Sequence, residues 1–283
     1  MGLREPPGLR ISECQDMDPL LALDSLGGVA RSKDLIRAGV SLYQLQRAVE
    51  QQLVRKPIRG VYCLPEHDDV LYTALCAYAE LTCISAAQHL GLWILRKPSL
   101  IHVRVNHGRA LDHRFRVHRS DTSLTPLAMC LQCMRCLPEL DALCIVESAV
   151  VRGLVPLAQL RDATRGLRDG QLRRIVQLVD PHSQSIIETL ARYHLRAAGF
   201  STQTQVYVTG VGRLDLFVDG VLGIEADGRQ YHSDRREFEE DRRRWNILTT
   251  RGVPILRVTS SLLTTQPERF IALVREGLNS HAR

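Results

Sequence analysis

Three carboxylates, Asp215, Glu225 and Asp227, fall in one short stretch, RLDLFVDGVLGIEAD, in which two apolar runs flank Asp219-Gly220. Carboxylates brought together repel one another unless a divalent cation or a raised pKa relieves the charge. Hard cations such as magnesium prefer oxygen ligands. Strand register decides whether these three can cooperate. A two-residue Asp219-Gly220 turn sets Asp215 against Ile224 and Leu214 against Glu225, mixing polar and apolar side chains on both faces. A three-residue turn, Val218-Asp219-Gly220 with the glycine left-handed, puts Leu214, Leu216, Leu222 and Ile224 on one face. Asp215, Glu225 and, if the strand continues, Asp227 then share the other. The apolar pattern predicts this second register or an equivalent bulge, with Asp215 and Glu225 within about 6 Å, the range over which charges strongly shift each other's pKa.

The elements that must hold this stretch lie in residues 181–283, whose apolar periodicity reads helix, three strands, helix, strand, helix. Ile186, Ile187, Leu190, Leu195 and Ala198 give the first helix its buried face, and Gly199 stops it. On that helix Glu188 follows Ser185 by three residues, so it is either a capping-box acid or a further carboxylate approaching Asp215. Strands follow at QVYV, RLDLFV and VLGIEA, then a helix from about Arg235 to Thr250, the strand PILRV and a last helix over 267–278. In the long helix Asp241 shares a stripe with Phe238, Trp245 and Leu248, which asks for a partner such as His232 or an arginine. Arg242, Arg243 and Arg244 form either a solvated basic face or a phosphate contact.

The string RLDLFVDGVLGIEADGRQYH, followed by DRRRWNILTTRGVPILRVT, resembles the PD-(D/E)xK nuclease superfamily and, within it, the very-short-patch repair endonucleases. That resemblance implies an α/β domain with a mixed central sheet, hydrolysis of DNA phosphodiesters, and Mg2+ or Mn2+ held by Asp215 and by Glu225 or its neighbour Asp227. It also implies a place near the metal for Glu188. His232, which follows the I-E-x-D-G run, would position water or deprotonate it. Arg229 or Arg242 would stabilise charge developing on phosphate. The family's lysine position, two residues after Glu225, holds Asp227 here, a lysine that the repair-like subgroup commonly lacks. The expected catalytic set is Asp215, Glu225, Asp227, His232 and Glu188, with the first three as metal ligands.

After a leader over 1–16, residues 17–67 have the punctuation of three helices and a basic hairpin. Leu20, Leu21, Leu23 and Leu26 mark a first helix stopped by Gly27-Gly28, and Ser32 is read as the cap of a short helix, KDLIRA, ending at Gly39. Ser41 and Gln44 form a capping box for a third helix that buries Leu42, Leu45, Ala48 and Val49. Its other face presents Tyr43, Gln44, Gln46 and Arg47, which either enters a major groove or is an exposed polar surface. LVRKPIRGVYCL then alternates basic and apolar residues, a wing from which Arg55, Lys56 and Arg59 reach phosphate or minor groove. Gly28 to Tyr62 resembles the amino-terminal winged-helix domain of abortive-infection type IV antitoxins, which implies docking on double-stranded DNA.

Residues 68–180 read as a mixed α+β middle domain with helices at 69–80, 84–92, through 124–151 and near 156–164, and strands IHVRV and RFRVHR. Arg104, Arg114, Arg116 and Arg119 beside His102 and His118 are either a basic surface or solvated strand faces. Cys130, Cys133 and Cys136, with Cys144 beyond them, are spaced like iron–sulfur ligands but read as helical core, because Ala128, Met129, Leu131 and Leu137 surround them.

Over 283 residues, 45% apolar content excludes disorder, and a net charge of +6 carried largely by arginine suits a phosphate-bearing partner. The opening MGLREPPGLR lacks the apolar run of a secretory signal, and Leu71 to Leu95 is interrupted by Glu80, Gln88 and His89. Irregularly spaced cysteines suit reduced thiols. The expectation is a cytoplasmic protein with no membrane span: a metal-dependent DNA endonuclease docked by a winged helix, serving repair or defence against foreign DNA. The alternative is a non-catalytic, antitoxin-like transcriptional repressor with a degenerate nuclease fold.

Overall fold

In the computed structural model, which describes residues 17–106, 108–119, 124–209, 211–227, 243 and 246–281, the Asp18 carboxylate accepts from the N–H groups of Leu20 and Leu21 and starts α1 (Pro19–Ser25). A strand absent from the sequence reading, β1 (Val29–Arg31), comes next. Arg31 rather than Ser32 therefore caps α2 (Ser32–Arg37), and no side-chain hydrogen bond caps it. The Ser41–Gln44 capping box of α3 (Leu42–Glu50) is present in both directions. Leu45 and Ala48 are buried beneath it, whereas Leu42, expected inside, is 61% exposed because it sits on the first turn, outside the helix's buried stripe. The hairpin β2 (Arg55–Ile58) and β3 (Val61–Cys63) turns at Gly60, φ +80°, and joins β1 in the antiparallel order β1-β3-β2. Three helices, a strand and a hairpin wing make a winged helix.

The described residues of Met1–Leu81 and Leu100–Asp121 form one unit, which adds to the winged helix α4 (Asp69–Cys76) and a second sheet. In that sheet β4 (Glu80–Leu81) pairs antiparallel with β5 (Ile101–Arg104), which pairs parallel with β6 (Phe115–His118). Glu80 ties the elements together: it accepts from Arg31 at 3.1 Å, lies 3.6 Å from Lys33 and is hydrogen-bonded by Arg104. Burial opposes its ionisation, but Arg104, Arg31 and Lys33 outweigh that cost and hold the carboxyl below its ordinary value. A depressed folded-state pKa stabilises the fold above the unfolded carboxyl's pKa of about 4.3, and the contribution is lost as pH falls through the folded value. Glu80→Gln should therefore melt below the wild type at neutral pH, with the gap closing under acid conditions; parallel melting curves down to pH ~3 would contradict this.

The second unit comprises the described residues of Thr82–Ser99 and Thr122–Arg283. Its helices are α5 (Cys83–His89), α6 (Pro126–Cys136), α7 (Glu139–Val151), α8 (Leu157–Ala163), α9 (Gly170–Leu178) and α10 (Ile186–Ala197). The strands β7 (Thr202–Val208), β8 (Gly212–Val218), β9 (Leu222–Asp227) and β10 (Ile255–Thr259) form one sheet in the order β10-β9-β8-β7. Only the β9–β10 pair is parallel. Residues 246–250 are helical, and α11 (Ser260–Thr265) and α12 (Pro267–His281) follow β10. Neither α9 nor α11 was expected from the sequence. Leu216, Val218, Leu222, Ile224 and Val258 pack against Ile187, Leu190, Ala191, Phe270 and Val274 as one core.

Cys130, Cys133 and Cys144 are buried, and burial alone pushes the Cys130 thiol up to about 12, as suits a protonated core side chain. Among the described residues no two cysteines are joined by a disulfide. Among the described residues no helix is long and apolar enough to cross a membrane.

Candidate acidic centre and nucleic-acid face

The turn between β8 and β9 is three residues long, one position later than expected: Val218 pairs with Leu222 across Asp219-Gly220-Val221. Asp219 and Gly220 are both left-handed, at φ +49° and +71°, and the Val221 N–H donates to the Val218 carbonyl at 3.0 Å. Asp219 is a turn residue whose side chain accepts from the Ser201 N–H at 2.8 Å. The displaced turn keeps the expected parity, and the register, continued, sets Asp215 against Glu225.

The ladder does not continue. Pairing of β8 with β9 stops at Leu216 and Ile224, and two residues further along β9 the Ala226 N–H donates to Asp215 Oδ2 at 2.8 Å. On the other side, β7 pairs with β8 at Thr204–Leu216 and Val206–Leu214 but not at Gln205, which lies opposite Asp215 and has φ +54°. A left-handed backbone costs a residue with a Cβ about 1–2 kcal/mol. Both neighbours of β8 thus let go of it at Asp215. This overturns one expectation: Leu214 does not share a face with Leu216, Leu222 and Ile224. It packs with Val211, Leu248 and Phe217, and its Cδ1 covers Gly223. Alternation holds only along an unbroken strand, and here the strand is interrupted.

Two further carboxylates border the break. Glu225, half-buried on β9, lies 3.7 Å from Arg257, its register partner on β10. Glu188 is 4% exposed on α10, and its carboxylate accepts from the Gln184 N–H rather than from the Ser185 N–H that completes a capping box. Its N–H donates to Ser185 Oγ, as a capping residue's should, while its carboxylate accepts from Ser185 Oγ at 3.1 Å, Gln184 N at 3.0 Å and Gln205 Nε2 at 3.0 Å. Burial pushes its carboxyl above the usual range, against the Gln184 N–H, and the charge of Asp215 pushes it further up. The two acids therefore feel one another. Asp227 ends β9, its backbone paired with Thr259. His232, Arg229, Arg242 and Asp241 lie outside the described residues. Among those described, no three carboxylates have ligand atoms all within 4.8 Å of one another. A divalent cation nevertheless suits this donor set: hard oxygens, one of them on a buried side chain whose ionisation is opposed by a neighbouring negative charge.

On the winged helix, Tyr43, Arg47, Arg55, Lys56 and Arg59 are exposed. Lys56 Nζ sits 5.5 Å from the centre of the Tyr62 ring, and Arg55 donates to the Pro65 carbonyl at 3.2 Å. Gln44 differs from the rest of the expected face, because its side chain accepts from the Ser41 N–H at 2.7 Å and is committed to the cap. The basic strands of the same unit are partly neutralised internally, Arg104 by Glu80 and Arg114 by Asp112. Sequence reasoning missed Gln205, and its left-handed backbone leaves no local trace in residue type.

The restriction-endonuclease-like family REase_MTES_1575 matches residues 188–278, which run from α10 through the sheet to α12. The transcriptional-regulator family of AbiEi antitoxins matches residues 18–65, the winged helix. Among curated proteins none matches. A crystal structure of the RV2827C protein from Mycobacterium tuberculosis is similar at 18% identity over 64% of this chain and 76% of that one, with a TM-score of 0.23.

Proposed function

We propose that this chain is a metal-dependent DNA endonuclease of the very-short-patch-repair-like branch, brought to duplex DNA by its winged helix. The observation carrying the reading is the break in β8, where the Asp215 carboxylate takes the first N–H beyond Glu225 while Glu188 bears on it from α10. Asp215 and Glu225, with Asp227 next along β9, would hold Mg2+ or Mn2+. When bound, such an ion polarises a phosphate oxygen and lowers the pKa of a coordinated water. The chain's own contribution is to fix the acids: the Ala226 N–H orients Asp215, and three donors orient Glu188. His232 would receive the proton of the attacking water, and Arg229 or Arg242 would face the phosphate.

Incubating the full chain with supercoiled and linear duplex DNA, with Mg2+ or Mn2+ and with chelator, tests this. Metal-dependent nicking or linearisation supports the reading. A second reading, a non-catalytic repressor, is favoured by Asp227 at the lysine position and by Arg257 beside Glu225. It requires DNA binding with no cleavage under any metal condition.

Binding itself should be dominated by phosphate contacts. Arg47→Ala and Arg59→Ala are each expected to weaken duplex affinity similarly across sequences and to reduce the log–log salt slope by about one unit. Fluorescence anisotropy between about 50 and 200 mM salt measures it. A slope unchanged in both variants would remove these residues from the interface.

A further inference from the structure

We infer that Gln205 is a positioning residue of the acidic centre: from the strand position opposite Asp215, its side-chain amide fixes the Glu188 carboxylate in the orientation that metal binding uses. The inference rests on the metal-binding reading of the preceding subsection. Gln205 interrupts β7 between the Thr204–Leu216 and Val206–Leu214 pairs, at φ +54°. Glycine would occupy that conformation without steric cost and asparagine with less, so local structure alone does not call for glutamine here. What glutamine adds is reach: Nε2 donates to Glu188 Oε2 at 3.0 Å.

Glu188 Oε2 also accepts from Gln184 N at 3.0 Å, and Oε1 accepts from Ser185 Oγ at 3.1 Å. A carboxylate offers about four lone-pair sites, so these three donors leave one, on Oε1. A fixed carboxylate with a single remaining acceptor position can engage an ion or its bound water in one direction only. The amide supplies this restraint without adding charge, which a lysine or arginine at the same place would do at the expense of cation binding. Left-handed backbone is thus retained where an orienting hydrogen bond depends on it.

The test sets stability against metal affinity in the full chain. Gln205→Gly and Gln205→Asn remove the strain or ease it, and neither supplies an amide long enough to reach Glu188. Both should melt at or above the wild-type temperature, yet bind Mn2+ about 10- to 100-fold more weakly. Mn2+ binding is read from the electron paramagnetic resonance signal of the free ion. Unchanged Mn2+ affinity in both variants overturns the role of Gln205. So does a loss of affinity that accompanies a lower melting temperature in both, since a structural role would give that result. Absence of Mn2+ binding by the wild type overturns the metal-binding reading itself and this inference with it.

Discussion

Asp215→Asn is expected to reduce metal-dependent DNA cleavage by at least about 100-fold, since even residues that only orient metal ligands cost about 10- to 100-fold when removed. Asparagine has nearly the same shape, and its side-chain oxygen can still accept from the Ala226 N–H, so the break in β8 should survive the change. What is lost is the negative charge. Duplex affinity should stay constant or rise, because one repulsive carboxylate beside the phosphate is gone. Initial cleavage rates at matched metal concentration, with melting curves as a control, measure the effect. Equal rates for variant and wild type would take Asp215 out of the metal site.

Glu147→Ala should cost about 3–5 kcal/mol of stability in the second unit, the range seen when one partner of a buried ion pair is removed. Glu147 is 0% exposed and Arg192 is 1% exposed. Arg192 Nη2 donates to Glu147 Oε1 at 2.6 Å, and the same carboxylate accepts from Thr189 Oγ1 and the Asp180 N–H, each at 2.6 Å. This network fastens α7 to α10, the helix that carries Glu188. Truncation leaves the buried guanidinium with the Asp180 carboxylate at 3.8 Å and the Leu178 carbonyl, and strands the Thr189 and Asp180 donors. Denaturant unfolding followed by tryptophan fluorescence measures the loss, as Trp93 packs against the unit's core. Glu147→Leu combined with Arg192→Met should recover much of it, because a buried pair replaced by apolar groups of similar volume is often neutral. A loss below about 1 kcal/mol for Glu147→Ala would show that the pair is solvated in the native ensemble.

The features legible in the sequence are those whose partners lie within a few residues. The Ser41–Gln44 box, the stop at Gly199 and the tight turn at Asp219-Gly220 depend on backbone donors and φ angles that residue type constrains directly. From these and the period-2 pattern, the winged helix, the three successive strands and the pairing of β8 with β9 across a three-residue turn could be read. Tertiary structure decided the rest. The parallel partners β5–β6 and β9–β10, and the short strand β1 that displaces Ser32 from its cap, depend on pairing between distant segments, for which no local preference exists. Arg192 resembles any exposed helical arginine until Glu147, far away in the chain, is folded against it. The departure of Leu214 from its expected face has the same origin. Alternation assigns faces only while hydrogen-bonded ladders hold a strand straight, and at Asp215 the ladders on both sides give way to side-chain hydrogen bonds, which sequence periodicity cannot anticipate.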